Sequence, residues 1–384
     1  MQIRSRSFIG ALALVLTVSL GLAGCGSSSS SKDSAAKSTV ADPAAPGPYG
    51  VGFRTIQIID ATRNRPLDVT VWYPIAPGTT GTPARYALLP STYTDSKVAI
   101  ADAPIVAEDK LPLAIYSHGS GGLNFISSFI TEHLASEGFI VIAANHTGNT
   151  AIDNFVNAMV SQDQNDMNRP ADISAEIDGM LARNADANDP FHNKIDADRI
   201  GLFGHSYGGY TALATVGGHS TPLGTTVADK RIKAVVGLAP YTTRLTPAEL
   251  AAVDVPTMML VGTKDITTPA NTNAEVAYES ISGRPSVLVE MTDAAHQSFT
   301  DVCAYLGEIE KLPDAPKAVV DVIRKQATEG CGDEFMPFAR DIEVTNTMTT
   351  AFLLQYVAGK TGYDYYWTTW PKSQTDITVQ AKLQ

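Results

Sequence analysis

Cysteine and tryptophan are scarce in this chain, with three of each among 384 residues. Three cysteines, Cys25, Cys303 and Cys331, cannot build a four-thiolate zinc site or the dense disulfide frame of a small secreted module. There is no His-Glu-x-x-His and no Cys/His cluster, so neither a metal nor any other cofactor is expected. Charge is sparse too. Charged residues make up 18% of the chain, with 28 Lys and Arg against 40 Asp and Glu, a formal net charge of −12. That balance argues against a nucleic-acid or polyanion partner. No internal repeat is present. Gly359-Lys360-Thr361 looks like the end of a phosphate loop, but Leu354 stands where the upstream glycine would be needed, and Gly359 reads better as a helix C-cap. What remains is 44% hydrophobic, ample for a sizeable core.

The N-terminus carries a targeting pattern. Arg4 and Arg6 precede an uncharged apolar stretch, Phe8 to Ala23, which is short for a membrane-spanning helix. It ends Leu22-Ala23-Gly24-Cys25, which resembles a bacterial lipobox. That resemblance implies cleavage before Cys25, lipidation of its thiol, and an exported cell-envelope protein held to a membrane. Removing residues 1–24 takes away two arginines and no acids, so the mature formal charge is 26 − 40 = −14. With Cys25 lipidated, Cys303 and Cys331 remain as a pair in an oxidising compartment, where a disulfide between them is expected. From Gly26 to Pro48 the chain is mostly Ser, Ala, Lys, Asp and Pro and cannot bury a core. Residues 25–48 are therefore expected to be a tether, and 49–384 a single catalytic domain, expected to work as a monomer.

Phe53 to Ile59 and Leu67 to Tyr73 read as an antiparallel hairpin, the second strand with period-2 alternation. A loop and irregular sequence follow to Lys110. From Leu111 the pattern is strand–helix alternation. Strands are expected at Leu111 to Tyr116, Phe139 to Ala144, Ile200 to Phe203, Ile232 to Leu238, Thr257 to Val261 and Ser286 to Glu290. Helices are expected at Asn124 to Gly138, Pro170 to Asn184 and Ile342 to Ala358. This predicts an α/β fold: a mostly parallel central sheet, opened by an antiparallel hairpin, with helices on both faces. Residues 150–170 and 241–253 lie beyond strand ends and are candidate walls, or a lid, over the carboxyl edge where ligands bind in such sheets.

The chemistry centres on Gly204-His205-Ser206-Tyr207-Gly208-Gly209, between the apolar run Ile200 to Phe203 and a helical pattern. Gly-x-Ser-x-Gly between strand and helix is a nucleophile elbow, in which a Cβ at either glycine position would collide with its surroundings. Ser206 is the candidate nucleophile. His118-Gly119-Ser120-Gly121, after an earlier apolar strand, places free N–H groups beside it, and the N–H groups of Ser120 and Tyr207 are the candidate oxyanion donors. Of seven histidines, only His296 follows the serine at a strand end, so it is the candidate base. His118 and His205 are expected to pack locally, and His146 is a candidate cleft-lining residue. Asp265, after the strand Thr257 to Val261, is the candidate acid. Asp254 lies at the wrong end of that strand, and Asp293 is too close to His296 to face it. Tyr241 is a second candidate lining residue, or a buried structural tyrosine.

These motifs together resemble the α/β-hydrolase superfamily. Within it, Phe53 to Pro74, Ser117 to Gly122 and Asn145 to Asn149 resemble bacterial relatives of the platelet-activating-factor acetylhydrolases and predicted dienelactone hydrolases. The resemblance covers about residues 49–300. It implies a serine esterase that cleaves short-chain or lipid-like carboxylic esters through an acyl-serine. Two departures weaken the named substrates. Dienelactone hydrolases proper use a cysteine nucleophile. The animal acetylhydrolases carry the acid one strand earlier, where this chain reads Gly237-Leu238-Ala239-Pro240-Tyr241 with no carboxylate. Leu238 to Tyr241 also resembles the aromatic flank of bacterial cutinases and polyester hydrolases, which makes a polymer ester the alternative substrate. An inactive binding lipoprotein and a peptidase are the remaining readings.

Overall fold

The computed structural model describes residues 40–89, 92–311 and 317–384. The expected signal peptide, Cys25 and most of the tether lie outside the described residues. β1 (Gly50–Asp60) and β2 (Arg65–Ile75) form the expected antiparallel hairpin. The stretch expected to be irregular instead holds a second hairpin, β3 (Pro83–Leu89) and β4 (Thr92–Ala101), with β4 parallel to β1. Its inward side chains are mostly small (Ala84, Ala99), with Tyr86 the large exception. Its outward ones mix charged Arg85, Asp95 and Lys97 with exposed Tyr93 and Val98, so no clean hydrophobic alternation marks it.

The parallel part follows in the order expected: β5 (Leu111–Ser117), α1 (Ser128–Ser136), β6 (Ile140–Ala144), α2 (Ala151–Phe155), α3 (Gln162–Ala185), β7 (Ile195–His205) and α4 (Tyr207–Gly217). A small hairpin, β8 (His219–Thr221) with β9 (Gly224–Thr226), precedes β10 (Ile232–Leu238), α5 (Pro247–Ala251), β11 (Thr257–Gly262), α6 (Ala274–Ser280) and β12 (Ser286–Met291). The tail adds α7 (Val302–Ile309), α8 (Lys317–Ala327), α9 (Phe338–Tyr356), α10 (Tyr365–Thr368) and β13 (Ile377–Lys382). The main sheet runs β13-β12-β11-β10-β7-β5-β6-β2-β1-β4-β3. Strands β6 through β12 are mutually parallel in that order, while β2 and β13 flank them antiparallel.

Alternate residues of the central strands feed two cores. Ala114 and Tyr116 of β5 face one core, with α1, α9 and α10. Leu113 and Ile115 face the other, with α3, α4 and α6. Helices thus cover both faces. The period-2 alternation of β2 suits a half-buried strand, yet beyond Asp68 it is wholly buried. Trp72 meets Phe53 and Tyr86 edge-on or tilted, and its indole N–H donates to the Tyr86 hydroxyl at 2.8 Å.

Helix α3 starts eight residues before the expected Pro170, and so takes in residues 162–170 of the stretch 150–170 expected as a wall or lid. A proline in a helix interior leaves the carbonyl four residues back without its donor. Here that carbonyl belongs to Asp166, and the Tyr210 hydroxyl donates to it at 3.1 Å. Gly359 has φ +74°, and the Lys360 N–H closes on the Leu354 carbonyl at 2.9 Å, which gives the expected cap of α9. Among the described residues no helix is long and apolar enough to cross a membrane.

Candidate active site

β7 runs straight into α4 through Ser206, which has φ +56° and ψ −117°. The turn is tight enough that a Cβ on Gly208 would stand 1.8 Å from the Ser117 carbonyl oxygen, and one on Gly204 would stand 2.4 Å from the Gly208 oxygen. Glycine is therefore required at both positions. Ser206 is held from below by its N–H, which donates to the Leu238 carbonyl at 2.8 Å.

The structure brings Ser206, His296 and Asp265 into one hydrogen-bonded row. His296 Nε2 lies 2.9 Å from Ser206 Oγ, and His296 Nδ1 lies 2.9 Å from Asp265 Oδ2. Three strand ends carry them: β7 for Ser206, β11 for Asp265 and β12 for His296. The last two turns interlock, since a Cβ on Gly262 would fall 2.1 Å from the Ala294 oxygen and the Lys264 N–H donates to that same oxygen. Asp265 also accepts the Thr267 and Thr268 N–H groups at 2.9 and 2.7 Å and the Thr268 hydroxyl at 2.8 Å. Burial raises this carboxyl, but the bonds from His296 and Thr268 outweigh it and hold the group below the usual carboxylate value. An ionised Asp265 fixes the proton on His296 Nδ1 and leaves Nε2 to accept from the serine. Thr268 was not singled out from the sequence. The signal was there in Asp265-Ile266-Thr267-Thr268, an acid whose following residues can turn back onto it.

His205, expected to pack locally, does so beneath the row. Its Nε2 lies 2.8 Å from the His296 carbonyl oxygen, the two rings are 4.8 Å apart, and burial with the His296 charge pushes its pKa down to about 3. It is a neutral prop for the turn that carries His296.

The turn holding Ser120 presses against the elbow, where a Cβ on Gly119 would lie 3.3 Å from Ser206 Cβ. Both candidate donor peptides have bonded carbonyls. The Gly119 oxygen, in the peptide that carries the Ser120 N–H, accepts from His118 Nδ1 at 2.7 Å and from the Gly122 N–H at 3.1 Å. The Ser206 oxygen, in the peptide of the Tyr207 N–H, accepts from Gly209 and Tyr241, each at 2.9 Å. Such bonds polarise and orient the opposite N–H. Tyr207 is the first residue of α4, where a helix has N–H groups to spare. Tyr241 is half-buried, its ring 6.3 Å from that of Tyr207, and its backbone also pins the elbow.

His146 does not line a cleft. It is fully buried, its Nε2 3.0 Å from Ser117 Oγ and its Nδ1 3.1 Å from Asp172 Oδ2, and its N–H donates to His118 Nε2. The reason is α3, which delivers Asp172 and Arg169 behind the Ser120 turn and closes the space a ligand would need. Burial and the Arg169 charge push His146 down to about 4 despite Asp172. Burial alone would raise Asp172, but the bonds from His146 and Arg65 hold it down at about 2. Sequence reading missed Arg169, Asn149 and Asp172 as parts of this cluster. Charged residues in a segment taken for loop or helix surface give no sign of burial.

Cys303 and Cys331 form the expected disulfide. Among the described residues no group of three or more His, Cys, Asp or Glu side chains could hold a metal.

Comparison with known proteins adds the following. Residues 121–310 match the family model described as PETase: PET hydrolase-like. Cutinase est1 of Thermobifida alba is 29% identical over 183 residues, 47% of this chain and 51% of that protein. Cutinase 1 of Thermobifida cellulosilytica is 26% identical over 47% of this chain and 58% of its own length. The platelet-activating factor acetylhydrolase of Canis lupus familiaris is 22% identical over 54% of this chain and 52% of its own. The chain spans about half the length of the curated relatives it matches.

Proposed function

We propose that this α/β-hydrolase is a serine esterase that cleaves carboxylic esters through an acyl-serine. The observation that carries the reading is the continuous Ser206–His296–Asp265 row, with both links at 2.9 Å, set beside two N–H-bearing turns. Ser206 Oγ attacks the ester carbonyl carbon while His296 Nε2 takes its proton. The carbonyl oxygen, now negative, is received by the N–H groups of Ser120 and Tyr207, and Asp265 steadies the imidazolium. As the carbon–oxygen bond breaks, the leaving alcohol takes the proton from His296. Water gives a proton to His296, attacks the acyl-serine, and releases the carboxylic acid with Ser206 reprotonated.

Short-chain or lipid-like esters are the first substrate class, in line with the acetylhydrolase relatives. The cutinase relatives and the half-exposed Tyr241 beside Tyr207 favour a polyester as the second. Hydrolysis of p-nitrophenyl esters from acetate to palmitate, by the full chain beside Ser206→Ala, tests the esterase. Release of soluble products from a polyester film tests the second class. No turnover at any length, together with no labelling of Ser206 by a fluorophosphonate, would leave a binding protein instead.

The Leu22 to Cys25 pattern and a disulfide suited to an oxidising compartment support export, cleavage before Cys25 and anchoring by lipid at that residue. Incorporation of labelled palmitate that Cys25→Ser abolishes is the expected result. A monomer is proposed, and sedimentation of the detergent-solubilised protein checks it.

A further inference from the structure

Arg169 is fully buried in α3, yet its three hydrogen-bond acceptors are all neutral. Nη1 donates to Asn149 Oδ1 at 2.6 Å, and Nη2 donates to Ser117 Oγ at 3.0 Å and to the His118 carbonyl. Its Nε–H has no acceptor among the described residues. The guanidinium carbon lies 4.7 Å from the centre of the Tyr207 ring. Burial lowers its pKa to about 10, so it stays charged at neutral pH. Glu176, also buried in α3, feels this charge through space but makes no hydrogen bond to it, and burial raises its carboxyl well above the usual value. The other nearby acids are reached only through intermediaries. Asp172 lies beyond Ser117 and His146, and Asp166 beyond the Tyr207 hydroxyl.

A buried cation without a directly bonded anion is costly to the fold and invites a reason. Its contacts suggest one, because they reach both candidate oxyanion donors. Through Asn149, whose Nδ2 donates to Ser120 Oγ at 3.0 Å, and through the His118 carbonyl, Arg169 holds the Ser120 turn. Through the face of the Tyr207 ring it holds the first residue of α4. We propose that Arg169 is a positioning residue of the oxyanion pocket, aligning the Ser120 and Tyr207 N–H groups and placing a fixed positive charge behind the developing oxyanion. The proton order is consistent with this. Arg169 donates to Ser117, which donates to His146, which donates to Asp172, so the guanidinium is fixed in place by a chain anchored on a carboxylate. The charge acts most when the ester oxygen becomes negative, so it favours the transition state over the bound ester. This inference rests on the esterase reading above.

The test uses the full chain with p-nitrophenyl butyrate, and an aryl boronic acid as a mimic of the anionic tetrahedral adduct. Arg169→Gln is expected to lower kcat about 10- to 100-fold with KM within about twofold, and to weaken the boronate in proportion. Arg169→Lys keeps the charge and should recover part of both losses. Asn149→Ala cuts the link to Ser120 and should lower kcat about tenfold. If Arg169→Gln does not fold, the other two variants decide. Folded variants with unchanged kcat would overturn the inference, as would a fall in kcat with boronate affinity intact, which is the mark of a structural role alone. A wild-type protein that neither turns over ester nor reacts with a fluorophosphonate would instead bring down the esterase reading and this inference with it. Activity in the wild type, unaltered in the variants, brings down this inference only.

Discussion

Ser206 is one of the few non-glycine residues with positive φ, and it stands where strand becomes helix. Such a backbone is costly and is held only because the surroundings over-determine it, here by the bonds of its N–H and carbonyl. The side chain that results is half-buried and aimed at His296. Ser206→Ala is expected to lower kcat by about 10⁴-fold or more with the fold intact, measured on p-nitrophenyl butyrate. Asp265→Asn should cost about 10⁴-fold as well. An amide there no longer fixes the Nδ1–H tautomer, and the Thr267 and Thr268 donors that suit a carboxylate remain. A variant with more than a tenth of wild-type activity would remove Asp265 from the role. A second acid behaves in the opposite sense. Asp301 is buried against Ser128, and burial, against the Ser128 bonds, raises it to about 7. An unfolded aspartate titrates near about 3.9, so the folded chain keeps a proton there that the unfolded chain loses. Its stabilising contribution is full below about pH 4 and is lost as pH rises through about 7. Asp301→Asn, neutral throughout, should therefore raise Tm at pH 8 and leave it unchanged at pH 4, and equal melting at both values would refute the argument.

At the scale of elements, legibility followed the hydrophobic signal. β5, β6, β10, β11 and β12, and β7 from Ile200 onward, are almost wholly buried on both faces, and each reads as an apolar run in the sequence. Their order alone places Ser206, Asp265 and His296 at strand ends. The β3–β4 hairpin escaped because only Ala84, Tyr86 and Ala99 of its inward residues are prominent. The early turns of α3 escaped because Pro170 reads as a helix start. The Tyr210 hydroxyl supplies the hydrogen bond to Asp166 that the proline withdraws, a compensation 44 residues along the chain that no local pattern shows. Removing it with Tyr210→Phe should cost about 1 kcal/mol, measured by urea unfolding. The elbow itself tolerates much less. With the Ser117 carbonyl oxygen 1.8 Å from any Cβ at position 208, Gly208→Ala must push β5 and α4 apart. Loss of soluble folded protein is the expected outcome, and a stable, active Gly208→Ala would show that the turn can open to accept a Cβ.

Over the whole molecule, the tail after β12 acts as a buttress to the active edge. The Cys303–Cys331 disulfide closes a stretch from α7 to just beyond α8, with its two ends 28 residues apart in sequence. The far end of that stretch meets the site turns directly. The Gln297 N–H donates to the Glu329 carbonyl at 2.7 Å and the Thr267 hydroxyl donates to the Glu329 carboxylate at 2.6 Å, while just outside the closed stretch the Met336 N–H donates to the Asp293 carbonyl at 2.9 Å. Residues flanking His296 and Asp265 thus lean on a segment that the disulfide ties down. The pairing was legible by counting cysteines, whereas its bearing on the site was not, since these contacts run between loops without hydrophobic periodicity. Closing a loop of this length restricts the unfolded chain by roughly 3.6 kcal/mol. Cys303→Ser with Cys331→Ser should lower Tm accordingly. Because the released segment supports the turns of the row, activity should fall at temperatures below the loss of helical signal. Parallel thermal scans of ester hydrolysis and circular dichroism decide between two outcomes. Separate midpoints mean that the disulfide steadies the site locally, and coincident midpoints mean that it acts only on global stability.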